Sequence, residues 1–98
     1  MKAVELINTS IIYSEWKFAK LVLWRLSTPL RGPLHKFKYR LAYVVRDECV
    51  IRYDHETGKG DHRLFDGKES DYVFTTPEQL VADFQDEIGR WNHENRNS

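Results

Sequence analysis

A chain of 98 residues, 41% hydrophobic and 31% charged, has room for one packed domain spanning residues 1–98 and too much apolar content for a disordered one. No apolar run approaches the roughly 20 residues that span a bilayer, and the N-terminus lacks the ordered parts of a signal peptide. The net charge is zero but unevenly spread: Met1 to Phe65 holds 12 Lys and Arg against 7 Asp and Glu, whereas Asp66 to Ser98 holds 3 against 8.

That split suggests a basic surface for an anionic partner beside an acidic helix, or two halves that simply pair with each other. Cys49 stands alone, so no intrachain disulfide can form and a reducing, cytoplasmic compartment is expected.

Ala3 to Tyr13 is apolar and β-branched. Val4, Ile7 and Ile11 would also fit a helix face, but Asn8-Thr9-Ser10 is poor helix material, so the segment reads as a strand ending in a Ser14-Glu15 turn. Trp16 to Leu26 is apolar at Trp16, Phe18, Val22, Trp24 and Leu26 and again at Ala19, Leu21 and Leu23, which predicts a strand buried in its middle. Ser27-Thr28-Pro29 and Arg31-Gly32-Pro33 punctuate a loop. His35 to Val45 alternates strictly, with Phe37, Tyr39, Leu41, Tyr43 and Val45 on one face and Lys36, Lys38 and Arg40 on the other. Arg46-Asp47-Glu48 turns the chain back into a second strand, Cys49 to Asp54, with Val50 and Ile51 at its centre.

His55 to Arg63 is polar with two glycines and reads as a loop. Phe65 and Tyr72-Val73-Phe74 are expected to give a last short strand around the Asp66-Gly67 turn. Thr76-Pro77-Glu78-Gln79 is a helix start: Thr76 caps, Pro77 suits the first position and Gln79 completes a capping box. Leu80, Val81, Phe84, Ile88 and Trp91 then recur at helical spacing, and His93 to Ser98 is a polar tail expected to fray. The fold predicted is α+β: an antiparallel sheet of about five strands, covered on one face by a C-terminal helix.

Two constellations could carry chemistry. Lys36, Lys38 and Arg40, with Arg52 from the neighbouring strand, would project about 6–7 Å apart along one face, close to the phosphate repeat of a single nucleic-acid strand. The plainer reading of that row is a solvated sheet face whose lysines blunt edge pairing. The segment Asp54 to Arg63 gathers groups suited to cleaving RNA through its 2′-OH. His62 would be the acid or base, Lys59 and Arg63 the cations, and Asp61 would orient a neighbour. The plainer reading here is a surface turn. His55, Glu56, Asp61 and His62 match no standard metal spacing, so no metal is expected, and no glycine-rich phosphate motif points to a nucleotide cofactor.

At Lys38-Tyr39-Arg40-Leu41-Ala42-Tyr43-Val44-Val45 and across Tyr53 to Arg63, a YDxExGKGDHR run, the chain resembles the TumE-type family of toxins from type II toxin–antitoxin pairs. In that family a second histidine commonly follows the arginine, where this chain has Leu64, which leaves His55 as the other histidine in reach. The resemblance implies a helix-turn-helix antitoxin as partner. Combined with the residues above, it gives an expectation of metal-independent RNA cleavage by His62, Arg63, Asp61, Lys59 and His55. The chain would bind RNA, act without cofactor or membrane, and form a homodimer. The rival expectation is a nucleic-acid- or protein-binding module with no catalysis.

Overall fold

The computed structural model describes residues 3–26, 36–56 and 60–95, the side chain of Glu56 excepted. The expected loop from Ser27 to Pro33, the strand start at His35 and the residue Lys59 fall outside them.

Six strands form one antiparallel meander in chain order: β1 (Ala3–Ser14), β2 (Lys17–Leu26), β3 (Phe37–Val45), β4 (Glu48–Glu56), β5 (Gly60–Phe65) and β6 (Lys68–Asp71). A single helix, α1 (Pro77–Glu94), follows. The α+β expectation therefore holds, with six strands where about five were expected. The extra strand comes from the polar segment after Asp54: β4 runs on to Glu56 and β5 begins at Gly60, so most of the expected loop is a hairpin.

Local chemistry explains the turns. Arg46 and Asp47 both have positive φ (51° and 67°), as does the Asp66-Gly67 pair (49° and 85°). Two consecutive left-handed residues make the tight connection whose twist matches that of the flanking strands. Arg46 is held there by its N–H donating to the Trp16 carbonyl at 2.8 Å and by its guanidinium lying over the Trp16 ring. The last strand is Lys68–Asp71 rather than Tyr72–Phe74. Tyr72 to Thr76 instead forms the link to α1, and there Phe74 stacks on Tyr39 with ring centroids 5.5 Å apart.

The core lies between α1 and the sheet. Tyr39, Leu41, Tyr43 and Val45 of β3 are buried, as the alternation predicts, together with Tyr53 of β4 and Leu80, Phe84, Ile88 and Trp91 of α1. In β2 only Ala19, Leu21 and Leu23 enter this layer; Phe18, Val22 and Trp24 lie on the far face, where Phe18 is exposed. A bulge in β4, where Val50 is the extra residue opposite the Tyr43–Val44 step of β3, lets adjacent Val50 and Ile51 both be buried. Helix placement is fixed by polar ties as well: the Tyr43 hydroxyl donates to Asn92 Oδ1 at 2.7 Å, and Trp91 Nε1 donates to Asp66 at 3.4 Å. Thr76 caps by accepting from the Gln79 N–H at 3.1 Å. The reciprocal half of the capping box is absent, because the Gln79 side chain donates to Asp83 at 2.7 Å instead.

Phe84 is fully buried and meets Tyr53 edge-on at 5.9 Å. Phe84→Ala should cost about 3–5 kcal/mol in urea unfolding. A loss below about 1 kcal/mol would mean that this helix face is not the core.

Candidate nucleic-acid interface

Cross-strand register places the candidate residues. One row crosses all six strands on the face away from α1: Asn8, Val22, Arg40, Asp54, His62 and Asp71. The adjacent rows add Trp24 beside Lys38, and Lys20, Ala42, Arg52, Leu64 and Glu69. Lys36, just before β3, is exposed, as are Lys38 and Arg40. The four expected RNA-binding cations thus belong to or border one face, and His62 shares it.

Within this face Arg52 Nε lies 3.7 Å from Asp54 Oδ2, and its terminal nitrogen lies 3.5 Å from Glu69. His62 Nδ1 lies 4.0 Å from the exposed carboxylate of Asp71. A hollow of about 390 Å3 opens among Val22, Trp24, Lys38, Arg40 and Asp54, with Tyr39 and His55 also on its wall. Trp24 and Val22 were not singled out by the sequence. Their signal was present: β2 is apolar at both phases of its alternation, so one apolar set had to face away from the helix.

The remaining candidates lie on the helix side. Successive residues of a strand point to opposite faces, so Asp61 and Arg63 flank His62 in sequence and are turned away from it in space. Asp61 pairs across the hairpin with His55. Its Oδ1 is 2.5 Å from His55 Nδ1, with the two side chains 8% and 0% exposed. The Tyr39 hydroxyl is nearby, and its pKa is driven up by burial first and then by the Asp61 charge, so it stays a proton donor. Arg63 forms an ion pair with Glu87 of α1 at 2.7 Å, and Glu87 also accepts from the Tyr53 hydroxyl at 3.4 Å and meets Arg90 at 3.4 Å. The Tyr72 hydroxyl donates to Asp83 at 2.5 Å. Burial, then Glu87 for Tyr53 and the Asp83 hydrogen bond for Tyr72, raises both phenols. These groups line a second cleft of about 420 Å3 between β5 and α1.

The structure therefore sets His62 opposite Asp54, in the row that also holds Arg40 two strands away and next to the row of Arg52, and brings Asp61 to His55 and Arg63 to Glu87. It does not bring Arg63 or Asp61 to His62. His62 is likewise on the opposite face from His55 and Asp61, so these three cannot close on one ion. Among the described residues no three His, Cys, Asp or Glu side chains converge as a metal site requires. Cys49, half-buried at the bulge, has its thiol pKa raised chiefly by burial. Among the described residues no helix is long and apolar enough to cross a membrane.

The division has a measurable consequence. Arg63→Ala removes the nearest partner of the buried Glu87 carboxylate, leaving it the Tyr53 hydroxyl and Arg90 at 3.4 Å, and should cost about 1–3 kcal/mol in urea unfolding. His62→Ala, on the outer face, should stay within about 0.5 kcal/mol. Equal losses in the two variants would contradict the assignment of faces.

A family model described as Toxin TumE matches residues 4–92, nearly the whole chain. No curated protein and no solved structure matches it.

Proposed function

We propose that this chain, which belongs to the Toxin TumE family, exerts its toxicity on RNA through the outer face of its sheet. The observation that carries the reading is the shared row of Arg40, Asp54 and His62 on three neighbouring strands, bordered by Lys38 and Trp24. Cations spaced along β3 follow the phosphates of a single strand, and an aromatic ring beside them offers a base a surface to stack on.

Cleavage, in this reading, proceeds without a metal. His62 takes the 2′-hydroxyl proton or delivers one to the departing 5′ oxygen, since imidazole suits transfer in both directions near neutral pH. The cation facing the scissile phosphate is Arg40 or Arg52 in place of Arg63, whose guanidinium is committed to Glu87 on the other side of the sheet. Asp61 and His55 then act as a brace for the hairpin that holds His62. Lys59, beyond the described residues, keeps its proposed role as a second cation. The reading includes a helix-turn-helix antitoxin and a cytoplasmic site of action. It also includes a homodimer, favoured by the outer edge of β1, with which no further strand pairs among the described residues and which carries no charged residue from Leu6 to Ser14.

Two measurements test this. Binding to single-stranded RNA should weaken with salt at roughly −0.7 per phosphate contacted, and replacing Lys36, Lys38 and Arg40 together by Ala should flatten that slope by about two units. An unchanged slope would return the row to a solvated face. His62→Ala should slow cleavage by roughly 10²–10⁴-fold with the fold retained and with EDTA without effect. RNA that is bound tightly but never cut would leave a binding module without catalysis.

A further inference from the structure

A surface that only tracks phosphates gives no role to the carboxylate at its centre. Asp54 stands directly between Arg40 and His62, half-buried, with Arg52 Nε 3.7 Å from one of its oxygens. Its charge repels the phosphates that Lys38 and Arg40 attract. An ionised carboxylate offers only acceptors, so it suits a part of the ligand that donates hydrogen bonds.

We propose that the hollow among Val22, Trp24, Lys38, Arg40 and Asp54 is a subsite for one unpaired nucleobase, stacked on Trp24 and read by Asp54, and that it selects guanine. The inference rests on the outer face being RNA-directed. At about 390 Å3 the hollow is at the small end of ligand sites, suited to a single base and its sugar. Trp24 on β2 and Asp54 on β4 are separated by β3 and by two residues along the strands, because the Asp54 row meets β2 at Val22, a diagonal of roughly 12 Å at ordinary strand spacing and rise. A purine lying on the indole ring therefore points its far edge toward the carboxylate. Lys38 and Arg40 rise from β3 between them, where they meet the phosphates on either side of the bound nucleotide.

The choice of base follows from hydrogen-bond complementarity. Guanine presents N1–H and N2–H side by side on its Watson–Crick edge, two donors for the two oxygens of one carboxylate. Adenine and cytosine set an acceptor next to their donor, and that acceptor would face an anion. Uracil offers a single N–H between two carbonyls. Each of the three leaves a carboxylate oxygen unmatched or opposed.

The test is fluorescence anisotropy on the whole chain with uridine oligoribonucleotides of about eight nucleotides, carrying one central guanosine, adenosine or inosine. The guanosine oligomer should bind at least about tenfold tighter than the adenosine one, the range expected for a bidentate base contact. Inosine keeps N1–H and lacks the 2-amino group, so it should fall between them, a comparison that needs no variant. Asp54→Asn should remove the guanosine preference, and Trp24→Ala should weaken all three oligomers together. Equal binding of guanosine and adenosine oligomers, or a preference that survives Asp54→Asn, overturns the guanine subsite and leaves RNA binding standing. Failure of every oligomer to bind overturns both.

Discussion

Successive side chains of a strand leave opposite faces of the sheet, and in the β4–β5 hairpin this rule separates residues that the sequence sets side by side. Register pairs Asp54 with His62, His55 with Asp61, and Tyr53 with Arg63. The first pair faces outward and the other two face α1. A one-residue slip of β5 against β4 would turn its side chains over, directing His62 toward the helix and Asp61 and Arg63 outward, away from His55 and Glu87. The register is held from within: His55 and Asp61 meet at 2.5 Å, and Arg63 meets Glu87 at 2.7 Å. The polar groups under the helix therefore determine which groups stand on the outer face.

This arrangement also resolves the charge asymmetry of the chain, for which two readings stood open. Pairing between the halves is seen directly, at Arg63 and Glu87; the basic surface for an anionic partner is what we propose for the outer face. The acidic helix turns Glu87 and Asp83 toward the sheet, where they engage Arg63 and the hydroxyls of Tyr53 and Tyr72. Burial and these acidic neighbours keep the two phenols protonated, so they serve as donors. Lys36, Lys38 and Arg40 lie on or beside the other side of the sheet, exposed and beyond the reach of that helix. Lys20, Lys36, Lys38, Arg40 and Arg52 thus share or border one face, interspersed with Asp54, Glu69 and Asp71.

Much of this was legible in the sequence. The alternation from Phe37 to Val45 placed both the buried aromatic face and the outward cations, and Thr76-Pro77 fixed the start of α1. What misled was composition. His55 to Arg63 is rich in charge and glycine and so read as a loop, yet the charges on its inner face are satisfied by one another and by α1, which lets a polar strand be half-buried. Treating Asp61-His62-Arg63 as one cluster followed from that error, because neighbours in a loop can converge and neighbours in a strand cannot. Trp24 escaped notice for the opposite reason: a strand apolar at both phases suggested burial on both faces, whereas α1 covers only one. The family resemblance, drawn from Lys38–Val45 and the same Tyr53–Arg63 segment, agreed with the family model over residues 4–92 but carried no information on which side of the sheet each residue lies.

One hollow lies on the outer face around Trp24, Arg40 and Asp54, and another lies under α1 around Arg63 and Glu87. The central claim is that the outer one meets RNA. Titrating a short single-stranded RNA into isotopically labelled protein and following side-chain and amide resonances discriminates between them directly. The account predicts shifts at the Trp24 indole N–H, Lys38, Arg40, Arg52, Asp54 and His62, with Tyr72, Asp83 and Glu87 largely still. Shifts confined to Arg63, Tyr72, Asp83 and Glu87 would contradict it and move the site to the cleft beneath the helix.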